Sequence, residues 1–375
     1  MMFLLALLLF MSNSMLLAYG GEELEKGGHT SPLKKWTWIQ YSFTDNELQS
    51  GSFSDLAKLT AAEGLVSNQI AFHSLIDTRT MGSYKITIQG DPKKNHALFD
   101  RIPNQDMSQP SVLKNFIQEV ATSDPAEKYG LILGGHGCGW LFTAEENRPL
   151  FIQEVASAIR ESGVHFEVVS FDSCLMSTME SVAELSGLSN FVTATENYCP
   201  WNGVISEKFL NLFDQHNTQE ALYGVCEKFV QMNTTTYADP SDPRKLAGPD
   251  ACDLNVWDPA KVKDLYHYLQ EQYQLKKIAP EYQKDFAIDP SWPAIYDLYS
   301  IVWPSLQAPG EQQEFQRRFA DALIHRSASK DTPDTFHGLG IVKWPIEENE
   351  ENRWPFSPTY LKGTHYPNPF LPEHR

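Results

Sequence analysis

The chain of 375 residues is poor in cysteine, poor in cations and almost free of long apolar runs. Each shortage excludes something. Its five cysteines (Cys138, Cys174, Cys199, Cys226 and Cys252) are odd in number and include no Cys-x-x-Cys pair, so they make neither a disulfide framework nor a zinc ribbon. Lys and Arg number 30 against 48 Asp and Glu, a net charge of −18. Such a surface repels phosphate backbones, and nucleic acid is not an expected partner. The most apolar stretch, MMFLLALLLFM, has eleven residues and is too short to span a bilayer as a helix. No other segment comes closer, so stable membrane insertion is not expected. There is no internal repeat, no G-x-G-x-x-G and no Walker lysine, which leaves GHGCG (135–139) a weak phosphate loop.

What is present describes a folded, exported protein. Fifteen Tyr, 21 Phe and nine Trp supply a core and argue against disorder. No charged residue occurs before Glu22, and Ala18 and Gly20 stand at the −3 and −1 places of a cleavage after residue 20. The pattern predicts a signal peptide over 1–20 and a secreted or periplasmic protein, although a basic n-region is missing. Residues 21–35 read as a flexible lead-in.

From residue 36 onward, apolar strands alternate with helical patterns. WTWIQYSF (36–43), QIAFHSLI (69–76), YKITI (84–88), YGLILGGH (129–136), FEVVSFDSC (166–174) and NFVTATE (190–196) read as strands. Helices are expected over 54–63, 110–122, 149–163 and 175–187, the last two ending at glycine. The alternation is that of an α/β fold with a mostly parallel sheet covered on both faces. The division expected is a catalytic domain over 36–235 and a C-terminal α/β subdomain over 236–375 packed on it. Within the latter, 235–250 reads as a loop, 251–258 and 337–345 as strands, and 259–276 and 310–327 as helices. The acidic EENEEN (347–352) is most simply a solvated loop. It lacks an EF-hand pattern; no cofactor is expected to be required, and calcium is left as an option without a recognisable site. The Pro-rich, aromatic tail after 356 reads as a strap across the surface.

Two residues stand where chemistry belongs. His136 and Cys174 each follow a strand, with one helical segment between them, and in open parallel sheets ligands bind beyond the carboxyl ends of strands. The imidazole and thiol can therefore meet. Cys138 lies nearer to His136 in sequence but reads as a small residue in a glycine turn. The helix expected to start directly after Cys174 would favour a thiolate there through its dipole. Asp172 shares a strand face with Cys174. Three roles are open to it: orienting His136, pairing with a cationic substrate group, or bonding backbone N–H groups. A zinc site of His136, Cys138 and Cys174 lacks a fourth ligand and matches no usual spacing. His73 and His165 read as core or surface histidines. The competing function is an exported binding or scaffolding protein without turnover.

The segments WTWIQYSFTDNELQ (36–49), LILGGHGCGW (131–140), VVSFDSCLMSTMESVAEL (168–185) and TATENYCPWNGV (193–204) together resemble the clostripain-type cysteine peptidases of the caspase-like group. Weaker similarity extends to about residue 345. The matching positions are His136, Gly137, Gly139 and Trp140, then Asp172, Cys174, Leu175, Met176 and Glu180. The resemblance implies a caspase-like three-layer α/β/α sandwich with a C-terminal extension. It implies a secreted endopeptidase in which Cys174 attacks, His136 serves as base and acid, and the N–H groups of Gly137 and Cys174 hold the oxyanion. It also implies that Asp172 binds the P1 side chain, giving cleavage of peptides or proteins after Arg or Lys. A monomer is expected. Glu196 and Asn202 match substrate-pocket positions, but Asn202 stands where the family pattern has Asp and Val204 where it has Trp, so the pocket has one charge fewer. Self-processing between the two catalytic strands is not expected, because the basic residue available there, Arg148, precedes Pro149.

Overall fold

The computed structural model describes residues 33–46, 48–61, 69–89, 95–145, 148–200, 202–238, 251–288, 294–343 and 363–370. The signal peptide, EENEEN and nearly all of the 21–35 lead-in lie outside these residues. The elements in chain order are strand β1 (Lys34–Thr44), helix α1 (Gln49–Ala61), β2 (Ile70–Thr78), β3 (Ser83–Gln89), β4 (His96–Ile102), α2 (Pro110–Ser123), β5 (Ala126–Gly134), β6 (His136–Gly137), β7 (Leu141–Glu145), β8 (Arg148–Phe151), α3 (Ile152–Ser162), β9 (Phe166–Asp172), α4 (Met179–Glu184), β10 (Ser189–Ala194), α5 (Phe209–Gln215), α6 (Thr218–Ala238), β11 (Asp253–Trp257), α7 (Pro259–Gln274), β12 (Ile295–Asp297), α8 (Leu298–Val302), α9 (Pro309–Ala322), β13 (Leu323–Ala328) and β14 (Gly340–Val342).

Nine strands form one sheet in the order β13-β11-β10-β9-β5-β1-β2-β3-β4. The inner five, β10 to β2, are mutually parallel, and two antiparallel strands close each edge. Period-two alternation divides β1 between two cores. Trp36 and Trp38 join Leu56, Phe209, Phe213 and Val225, beneath α1, α5 and α6. Ile39, Tyr41 and Phe43 join Leu113, Val155, Met179, Leu265 and Phe319, beneath α2, α3, α4, α7 and α9. The result is the expected three-layer sandwich. Trp38 lies over its cross-strand partner Gly130 so closely that a Cβ there would stand 2.3 Å from the indole. The sheet and the second core both run across residues 235/236, since β11, β13, α7 and α9 belong to them.

Several elements differ from expectation. β4 was not anticipated. It is an edge strand, and Leu98 and Phe99 on it are half exposed, so burial leaves little alternation to read. The 149–163 helix begins only at Ile152, because 148–151 pairs with β7 in a small antiparallel sheet and Glu154 accepts the N–H of Phe151. The 310–327 helix stops at Ala322, where the chain becomes β13 on the sheet edge. The expected loop from 235 is helical through Ala238. Residues 363–370 do act as a strap: the N–H of His365 donates to Glu184 and Asn368 donates to the carbonyl of Val342. Among the described residues no helix is long and apolar enough to cross a membrane.

Candidate active site

The site forms where β5 and β9 end side by side. Gly134 of β5 is paired with Asp172 of β9. His136 and Cys174 each lie two residues further on, so the parallel register delivers both to the same sheet edge. The two loops are then stitched together. The N–H of Gly135 donates to the carbonyl of Asp172 at 3.3 Å, and that of Gly139 to Leu175 at 3.0 Å. Gly137 presses on the Cys174 segment, where a Cβ would meet the Cys174 carbonyl at 2.9 Å and Met176 at 2.8 Å. His136 opens the two-residue strand β6, paired with Thr143 of β7.

Cys174 is not at a helix start. The expected helix over 175–187 is confined to α4, Met179–Glu184. Leu175 adopts φ +60°, a left-handed conformation that costs a non-glycine residue about 1–2 kcal/mol. It is held there by two bonds, its N–H to the carbonyl of Asn197 and its carbonyl from Gly139. Ser177 then donates to the carbonyl of Thr195, and the chain becomes helical only after Thr178 caps α4. The sulfur of Cys174 instead accepts the backbone N–H of Cys199 at 3.2 Å. Burial pushes the thiol pKa up, and this N–H opposes the shift. The sulfur is partly exposed, with this donor beside it.

Cys138 is 3% exposed, inside the core, and burial raises its pKa far above the usual thiol range. It is unsuited to nucleophilic work.

Asp172 lies beneath Cys174. Its Oδ1 accepts the Val204 N–H at 3.1 Å and the Cys199 thiol at 3.4 Å. The αL Gly203 faces the carboxylate, where a Cβ would stand 2.6 Å from Oδ2. Among the described residues no lysine or arginine forms an ion pair with Asp172. Burial raises its pKa, and the charge of Lys58 is the largest opposing influence. Of its three conceivable roles, backbone bonding is realised through Val204. Oδ2 lies against the backbone of Gly203.

Asn202 borders this carboxylate and offers its backbone carbonyl to the Lys58 ammonium. Glu196 is turned away into the interior. It is 1% exposed, its carboxylate accepts the N–H of Gly338 at 2.7 Å, and burial together with Asp297 and Asp253 raises its pKa well above the usual range. This contact ties Glu196 to Gly338, just before β14. Three neighbours of Asp172 were not anticipated: Cys199, Asp55 and Lys58. Cys199 follows β10 much as Cys174 follows β9, and that parallel was the available signal. Asp55 and Lys58 read in sequence as an ordinary helix pair, with no mark of the site.

The clostripain family model matches residues 40–306. Three solved structures share the fold at low identity. A secreted C11 cysteine protease from Bacteroides thetaiotaomicron, in complex with an irreversible peptide inhibitor, has a TM-score of 0.71 at 16% identity over 89% of this chain and 98% of its own. An inactive zymogen C11 protease from Parabacteroides distasonis has 0.68 at 17% over 90% and 98%. The secreted C11 cysteine protease "iotapain" of B. thetaiotaomicron has 0.70 at 14% over 91% and 100%. No curated protein sequence matches the chain.

Proposed function

Since the chain belongs to the clostripain family and is a cysteine peptidase, we propose that Cys174 is its nucleophile, His136 its acid–base group and Asp172 its P1 anchor. The observation that carries this reading is the pairing of β5 with β9, Gly134 opposite Asp172, which brings the histidine and cysteine loops to one edge. Because burial raises the pKa of the Cys174 thiol, attack calls for a base. His136 takes the proton as the sulfur bonds to the scissile carbonyl carbon. Proton transfer of this kind contributes about 10²–10⁴-fold. The N–H groups of Cys174 and Gly137 receive the oxyanion, each such donor contributing about 10²–10³-fold. The C–N bond then breaks, His136 returns the proton to the leaving amine, and a thioester remains. Water, deprotonated by His136, attacks it and releases the acid and the free thiol.

Asp172 favours Arg or Lys at P1. It is a carboxylate with two neutral donors and no cation paired to it, and Arg gains further from bidentate contact. The enzyme acts outside the cytoplasm, in line with the charge-free N-terminus and with a fold shared by proteases described as secreted.

The test is hydrolysis of short Arg- and Lys-ended amide reporters by the wild type and by Cys174→Ala, under reducing conditions at pH 6–8. Wild-type turnover abolished by Cys174→Ala is expected. Turnover that survives Cys174→Ala but is lost in Cys138→Ala would overturn the assignment of the nucleophile.

A further inference from the structure

Asp172 is not the only charged group beneath the thiol. Helix α1 brings Asp55 and Lys58 to the same place from the far side of the chain. The Lys58 ammonium lies 3.0 Å from Asp55 Oδ1 and donates to the backbone carbonyl of Asn202, next to the glycine that faces Asp172. Both side chains are largely shielded, 16% and 8% exposed. Asp55 and Asp172 act on each other electrostatically, as do Lys58 and Asp172. Two carboxylates therefore share one ammonium.

The sharing is unequal. An ammonium has three donors on a flexible stem, and Asp172 would be a natural partner for it. Yet its two hydrogen bonds go to Asp55 and Asn202. We propose that Asp55 is a specificity-determining positioning residue, which with the Asn202 carbonyl tethers Lys58 away from Asp172 and so keeps that carboxylate for the substrate's P1 cation. The inference rests on the P1 reading above.

Charge counting shows the consequence. With both acids ionised, two carboxylates and one ammonium sum to −1, and a P1 cation brings the cluster to zero; burial raises both pKa values, Asp55 to about 7, so this state is favoured toward the upper end of pH 6–8. Without the Asp55 charge the remaining pair is already neutral, and the released Lys58 turns to Asp172. An incoming Arg or Lys must then displace it.

Three variants of the full chain test this: Asp55→Asn, Asp55→Asn with Lys58→Met, and Lys58→Arg. Steady-state constants are measured on matched Arg-ended and Gln-ended amide reporters, with thermal melting as the check on folding. Asp55→Asn is expected to lower kcat/KM for the Arg reporter by about tenfold or more. The loss should lie mainly in KM, with the Gln reporter within about twofold. Inhibition by benzamidine, a free amidinium, should weaken in parallel. The double variant, which has no ammonium to turn on Asp172, is expected to recover most of the loss. Lys58→Arg keeps Asp55 but reaches further with five donors, and should also depress the Arg preference, which keeps the idea testable should Asp55→Asn fold poorly. An unchanged Arg-over-Gln ratio in folded Asp55→Asn, or in Lys58→Arg, would refute the tether. So would a double variant no better than Asp55→Asn. A wild type with no preference for Arg over Gln would instead overturn the P1 reading, and the tether with it.

Discussion

Replacing Asp172 by Asn asks whether that carboxylate recognises the substrate or only supports the fold. Asparagine has the same shape, and its amide oxygen can still accept the Val204 N–H that Asp172 Oδ1 accepts at 3.1 Å. What changes is the side facing Gly203. There a carboxylate oxygen becomes an NH2, which presents donors to a P1 guanidinium or ammonium. Truncating one partner of a buried, hydrogen-bonded charge pair costs about 2–5 kcal/mol. At about 1.4 kcal/mol per tenfold, that is a loss of roughly 30-fold to several thousand-fold in kcat/KM for Arg-ended reporters. Gln-ended reporters should change by no more than a few-fold. Folding should not suffer. Burial raises the pKa of Asp172, so its contribution to stability is full below the unfolded carboxylate range and is lost as pH rises through the raised folded value. Asparagine removes that loss, and the melting temperature at neutral pH should hold or rise. In the wild type the same shift sets the direction of a pH effect: the Arg-over-Gln ratio should climb as pH rises through the pKa of Asp172, and the variant should show no such climb. The assay is the ratio of kcat/KM values for matched reporters, measured beside thermal melts. An Arg-over-Gln ratio equal in wild type and Asp172→Asn, with both proteins folded, would refute the assignment of Asp172 to P1.

Other substitutions probe the surroundings. Gly203→Ala would place a methyl 2.6 Å from Asp172 Oδ2 at φ +60°; kinetics on the two reporters should show a loss of at least about tenfold confined to the basic one. Cys138→Ala should retain activity within about twofold and cost about 1 kcal/mol in urea unfolding, since it trims one atom from a buried residue. Gly130→Ala would drive a methyl to 2.3 Å from the buried ring of Trp38 and should destabilise by about 1–3 kcal/mol or more by the same measurement.

Most of the sheet was legible because its strands are buried on both faces. Near-continuous apolar runs such as YGLILGG and FEVVSF carry that signature whatever the rest of the chain does. The misreadings have one cause. β4, β8 and β13 are strands only because a neighbour pairs with them, and the helix after Cys174 is delayed because backbone groups of residues 175 and 177 bond to residues 197 and 195. Local pattern reports propensity, and here tertiary hydrogen bonds overrode it.

The sequence by itself determined that His136 and Cys174 each follow a strand, because strand, helix and glycine stop are local properties with their own periods; that the two strands pair was decided by the fold. It set Cys138 aside in the same way, as the small residue of a glycine turn. Only the tertiary structure decided what surrounds the thiol and the carboxylate. The backbone N–H of Cys199, rather than a helix dipole, points at Cys174. Glu196 faces inward, and Lys58 reaches the carbonyl of Asn202, 144 residues away in the chain. No spacing rule encodes such a contact. It exists because α1 and the loop after β10 come together beside Asp172, and long-range packing brings them there.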